Sequence, residues 1–128
     1  MGTHTNNIWR LPNPSDISKD VVSVDGQDGL KIGDGGTFIG AVVKYAPSIN
    51  PASVAADTSV EQTFSVPGLK VATDIVLAIN KPTVTAGLSI GGFRVSADDT
   101  LAITFVNSTA APIDAAAETY AVVVATFN

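Results

Sequence analysis

The sequence predicts an all-β fold, a single antiparallel β-sandwich or barrel, and three observations carry that expectation. Large and small side chains alternate with a period of two through VEQTFSVPGL, DIVLAINKP, TLAITFVNST and ETYAVVVATF, and residues two apart on a strand point to the same face. Eleven glycines and seven prolines fall largely between these runs, where turns need positive φ or must end a ladder. No stretch keeps a helical period long enough for a helix, so the expectation is at most one helical turn near Asp114 to Glu118, within AAPIDAAA, which Asp114 is placed to cap.

The elements follow in order. Met1 to Asp20 hold Asn6, Asn7, Pro12, Asn13, Pro14 and Ser15, which oppose regular structure, together with the apolar Ile8, Trp9, Leu11 and Ile17. Residues 1–20 therefore read as an extended N-terminal arm that crosses open space, and 21–128 as the β-sandwich domain. A solvated tail has little use for the chain's single tryptophan, so the arm is expected either to fold back or to dock on a neighbour. Val21 to Val24 form a short strand before the glycine-rich turns of DGQDGLKIGDGG, and Phe38 to Tyr45 form a buried strand ended by Pro47 and Pro51.

The second half is more regular. Val54 to Ala56 and Val60 to Val66 are candidate strands, the latter closed by the turn dipeptide Pro67-Gly68. Ile75, Leu77 and Ile79 share one face of a strand that Pro82 stops. Leu88 and Ile90 are out of phase with Phe93 and Val95, which fits a β-bulge at Gly91-Gly92 or a loop between two shorter strands. SADDT joins Val95 to Leu101 as a hairpin with a loop of more than two residues. Leu101, Ile103 and Phe105 fill a core, and Glu118 to Phe127 make a central strand, since Val122, Val123 and Val124 are apolar on both faces.

Charge and composition narrow the function. Seven basic residues stand against twelve acidic ones, for a net charge of −5. The basic residues are scattered from Arg10 to Arg94, which disfavours direct nucleic-acid binding and an anionic membrane surface. No apolar run spans a bilayer. The chain has no cysteine, hence no disulfide, thiolate ligand or thiol nucleophile. The start, MGTHTNNIWRLPNP, has neither the basic beginning nor the apolar core of a signal peptide, and Asn6 stands where a myristoylation signal has Ser or Thr; an untargeted product is expected.

Candidate chemistry is sparse. His4 is the only histidine and lies near the chain's beginning, without the rigid support a catalytic triad needs. Asp25, Asp28 and Asp34 sit among glycines, but their spacing is not that of an EF-hand loop and suits tight turns. Glu61, Asp74 and Glu118 are the carboxyls that a glycosidase reading would use, and solvated sheet surface is the simpler account of them. GDGG lacks the ending of a phosphate-binding loop. Asn107-Ser108-Thr109 is a formal glycosylation sequon that means nothing without a secretory route. No enzyme, catalytic residue, metal or cofactor is expected.

Val60 to Phe127 resemble a family of small virion structural proteins of tailed bacteriophages. The resemblance is carried by EQTFSVPGL at Glu61 to Leu69, INKPTVTAGLSIGGFRVSADDTLAITFVNST at Ile79 to Thr109 and ETYAVVVATF at Glu118 to Phe127. It implies a jelly-roll-like β-sandwich acting as a capsid decoration, or cement, protein on the outer surface of the head. Its partners are then the major capsid protein and itself, as a homotrimer. No binding residue transfers, because the motif residues look structural. The partner-binding candidates Ile8, Trp9 and Leu11 come instead from the apolar content of the arm. The alternative is a tail, neck or fibre domain that binds another virion protein or a host receptor. A carbohydrate-binding module is a third reading, with only Trp9, Tyr45 and Tyr120 to serve as aromatic platforms.

Overall fold

The computed structural model describes residues 3–5, 8–13 and 16–128, with side chains at 10–13 and 21–128. The fold is all-β and antiparallel, and no helix occurs among the described residues. Among the described residues twelve strands follow one another: β1 (Thr3–Thr5), β2 (Ile8–Asn13), β3 (Asp16–Asp25), β4 (Gly29–Ile32), β5 (Ile39–Tyr45), β6 (Ser48–Ile49), β7 (Thr58–Ser65), β8 (Asp74–Asn80), β9 (Leu88–Ala97), β10 (Thr100–Asn107), β11 (Glu118–Thr119) and β12 (Ala121–Phe127). The chain forms two compact units. One comprises Met1–Val42 with Ala125–Asn128, the other Val43–Val124, so β5 and β12 run through both.

The first unit is an antiparallel meander in the order β1-β2-β3-β4-β5. Its beginning corrects the expected arm. Trp9 pairs with His4 on one side and Val24 on the other, Ile8 with Thr5 and Asp25, and Leu11 with Val22. The boundary expected after Asp20 falls inside β3. Pro12 lacks the N–H that a ladder needs, but the β2–β3 register shifts on both sides of it, and a bulge is where a sheet tolerates proline. The β-favouring Ile8, Trp9 and Leu11 are thus free to pair. At the other end, the Asn128 N–H donates to Phe38 O at 2.9 Å and its side-chain amide to Asp28 O at 2.7 Å.

In the second unit the sheet β7-β10-β9 shares one apolar core with β8 and β12, which are neighbours in a second sheet. This is a sandwich-like arrangement. Leu101, Ile103 and Phe105 of β10 are fully buried with Leu69, Tyr120, Val122 and Val124, and the Phe64 ring meets Phe105 edge-on at 6.4 Å. On the opposite face of β10, Ala102 and Thr104 lie between β7 and β9.

The phase change in β9 is a bulge within one strand. Thr104 pairs with Gly92 and Phe105 with Ile90, which leaves Gly91 unpaired. Glycine suits the position because a Cβ there would come within 2.9 Å of the Val106 side chain. A second shift, at Ser96, precedes a hairpin tip of only two residues, Asp98 and Asp99, rather than the longer loop expected. Asp99 takes a left-handed φ of 57°. The tip holds the Pro67-Gly68 turn: Asp99 accepts the Gly68 N–H on its side chain and the Val66 N–H on its carbonyl, and donates to Leu69 O. Gly68 has φ +105°, as a turn with proline before it requires.

The fold stays within the expected limit of one helical turn, but the shared face expected of Ile75, Leu77 and Ile79 is broken. Residues 110–117 make no helical turn; a single bridge between Val54 and Ile113 holds them extended, and Asp114 caps nothing helical. Ile75 and Leu77 face outward, while Val76 enters the core. The phase of β8 is set at its start by the buried Asp74, whose carboxylate accepts the Lys70 N–H at 2.9 Å and the Thr73 hydroxyl at 3.1 Å.

Candidate functional site

The meander of the first unit presents a face with few polar groups. Leu11 pairs with Val22, Val22 with Ile32, Val24 with Leu30, and Leu30 with Ile39. Directly opposed residues share a face. Leu11, Val22, Val24, Leu30 and Ile32 therefore form one apolar surface, on which Val24 is 41% and Ile32 64% exposed. Of the candidate anchors, Leu11 is half-buried on this face. The side chains of Ile8 and Trp9, and that of His4, lie outside the described residues.

The carboxylates singled out from sequence are not brought into one cleft as a set; Asp25, Glu61, Asp74 and Glu118 each have a partner of their own. Glu61 on β7 reaches across β10 to Arg94 on β9, which donates from Nε at 2.9 Å and from an Nη at 2.8 Å. This two-pronged pair lowers the Glu61 pKa, chiefly through the hydrogen bond from Arg94, and raises that of Arg94 for the same reason. Asp74 holds the loop that opens β8. Asp25 accepts the N–H groups of Gln27 and Asp28 at 2.7 and 3.4 Å, the side-chain turn expected of aspartate among glycines. Among the described residues no group of three His, Cys, Asp or Glu is placed to hold a metal ion.

Glu118 departs most from the solvated-surface expectation. Its carboxylate lies 2.7 Å from Lys81 Nζ, with both side chains largely buried. The same ammonium donates to the Thr83 carbonyl and, at 3.1 Å, to the Thr85 hydroxyl. Lys81 thus fastens the loop after β8 to β11. The hydrogen bond from Lys81 holds the Glu118 carboxyl below its ordinary pKa, against the opposing effect of burial. A lowered carboxylate pKa contributes stability above the unfolded value, about pH 4.3, that is lost as pH falls through the folded value. The unfolding midpoint should therefore hold from neutral pH down to about pH 5 and decline below it. Glu118→Gln should make that acid decline shallower. Parallel wild-type and variant curves in a pH series of thermal melts would refute this.

Tyr120, fully buried beside this corner, has a hydroxyl without a hydrogen-bond partner among the described residues. Burial first, and then the nearby Glu118 charge, push its pKa up to about 12. A buried, unpaired hydroxyl costs stability. Tyr120→Phe should consequently leave the protein as stable or raise stability by about 1 kcal/mol, and it should delay alkaline unfolding above about pH 10, where the unfolded phenol ionises and the folded one resists. Denaturant melts at pH 7 and 10.5 check both parts.

Between β8 and β9 lies a groove of about 310 Å³, lined by Ile79, Leu88, Ile90 and Phe105 and rimmed by Thr83 and Val84. Val84 is 92% exposed. Sequence reasoning missed Lys81 as the partner of Glu118. It also set Ile75, Leu77 and Ile79 on one face, whereas Ile75 and Leu77 are exposed and Ile79 packs half-buried against the core. The formal sequon is closed, because Asn107 is buried and its amide donates to Val54 O, Ala55 O and Ala111 O.

In comparisons with protein-family models, curated proteins and solved structures, none matches this chain.

Proposed function

We propose that this chain is a bacteriophage capsid decoration protein that binds the outer surface of the head, stabilises contacts between major capsid protein subunits, and associates with itself as a homotrimer. The observation that carries the reading is the exposed apolar face of the first unit, Leu11, Val22, Val24, Leu30 and Ile32, in the segment that also holds Ile8 and Trp9. A sheet with one apolar face is stable only when a second layer covers that face, and an exposed apolar patch of this kind suits protein docking. The phage-like phrases support the reading by their positions: EQTFSVPGL covers most of β7 and its closing turn, INKP ends β8, and RVSADDTLAITF forms the β9–β10 hairpin. Many such contacts, repeated over a closed shell, add up through high local concentration.

Locating the chain in purified particles tests this. Uniform labelling over heads in immuno-electron microscopy is the expected result. Label confined to one vertex or to the tail would replace the proposal with the alternative of a tail, neck or fibre domain.

A further inference from the structure

We propose that the first unit opens and recloses on its own while the second stays folded, so that β3 and β4 are a separately ordered element and not an extension of the main core. The two units differ in burial. The described core cluster lies within Tyr45 to Val124, and of the described buried apolar residues only Ala125, on β12, belongs to the first unit. Among residues 21–42 only Ser23, a polar residue, is buried. The large apolar side chains of that stretch remain in contact with water: Leu30 is 37% exposed, Val42 63% and Ile32 64%.

Ordering a strand costs backbone entropy at every residue, and a sheet offsets that cost by burying one face against a second layer. In β10 the offset is complete, since Leu101, Ile103 and Phe105 have no exposed surface. Opening that strand would uncover the core. In β3 and β4 the ladder does most of the holding: Val22 pairs with Ile32 and Val24 with Leu30, yet none of these four is buried. A ribbon held chiefly by its ladder is marginal in water, and few buried contacts with solvent-exposed backbone bonds mark the part of a fold that opens first. The described register of β4 with β5 rests on a single pair, Leu30 with Ile39. Beside it Gly29, at φ +99°, comes so near that a Cβ would lie 2.0 Å from Ile39 O. On the capsid reading, attachment through the apolar face then carries an ordering step. The opening itself is a property of the free chain and stands without that reading.

Hydrogen exchange followed by mass spectrometry on the free, full-length chain tests this. Amides of residues 21–32 should exchange about a hundredfold or more faster, relative to their intrinsic rates, than those of residues 101–107. Gly29→Ala, which drives a Cβ against the Ile39 backbone, should speed exchange at 21–32 further. It should leave exchange at 101–107 unchanged and the main unfolding midpoint within about 2 °C of wild type. Equal protection of the two segments would overturn the proposal. So would a Gly29→Ala midpoint lowered by several degrees, which denotes one cooperative unit. Neither result bears on where the chain sits in a particle, so the capsid reading stands or falls by its own test.

Discussion

Replacing Asn107 with Ala is expected to destabilise the protein by about 4 kcal/mol, a fall in unfolding midpoint of roughly 10–20 °C for a chain of this length. The side chain sits at the end of β10 and is buried. Its amide protons are shared among Val54 O at 3.0 Å, Ala55 O at 3.2 Å and Ala111 O at 2.8 Å. Its carbonyl accepts the Thr109 N–H at 2.9 Å and the Thr109 hydroxyl at 2.8 Å. One residue thereby ties three segments that make little regular structure of their own: the chain before β7, the turn after β10, and the extended stretch that leads to β11. Alanine would leave carbonyls without donors, each costing about 1–3 kcal/mol if water cannot reach it. Asn107→Asp keeps the shape and removes the donors at neutral pH, so it should be no better than alanine at pH 7. A midpoint within 3 °C of wild type for either variant would sink this account.

The residues around Asn107 also show where sequence reading ends. A glycosylation sequon and a buried structural amide have the same letters, and only the fold decides between them. The β10 core was legible because Leu101, Ile103 and Phe105 alternate with smaller or polar residues, and the register confirms their common face. The Gly91 bulge was legible as a phase error between Ile90 and Phe93, two large residues that both had to reach the same side. β12 was legible as an interior strand from three consecutive valines, and it lies between β5 and β8 in the strand order.

What was not legible depended on contacts distant in sequence. The orientation of β8 turns on a buried aspartate at its start, whereas hydrophobicity alone favours Ile75 and Leu77 for the core. Lys81 and Glu118 are 37 positions apart by their numbers, and nothing local marks either as a partner. Pro12 and its neighbouring asparagines correctly signal an interruption, but a bulge confines the interruption to one point of a strand and does not dissolve it. The same misreading set the domain boundary within β3.

Under the proposed capsid role, Trp9→Ala is expected to weaken attachment of the chain to phage heads by about thirty-fold or more, the scale of roughly 2 kcal/mol or above seen when an aromatic anchor is truncated. Trp9 lies on β2, paired through its backbone with His4 and Val24. Alanine keeps that backbone ladder, so the substitution removes a large aromatic surface without removing a strand. The described core of the second unit is composed of residues between Tyr45 and Val124. Its unfolding midpoint should therefore stay within about 2 °C of wild type, the scatter of an off-core change. Binding to heads that lack this protein, measured by co-sedimentation, and melts followed by far-ultraviolet circular dichroism separate the two effects. Loss of attachment with an unchanged melt assigns Trp9 to the partner. A midpoint lowered by several degrees with attachment intact assigns it to the chain's own packing and removes the docking role from the segment bearing Ile8, Trp9 and Leu11.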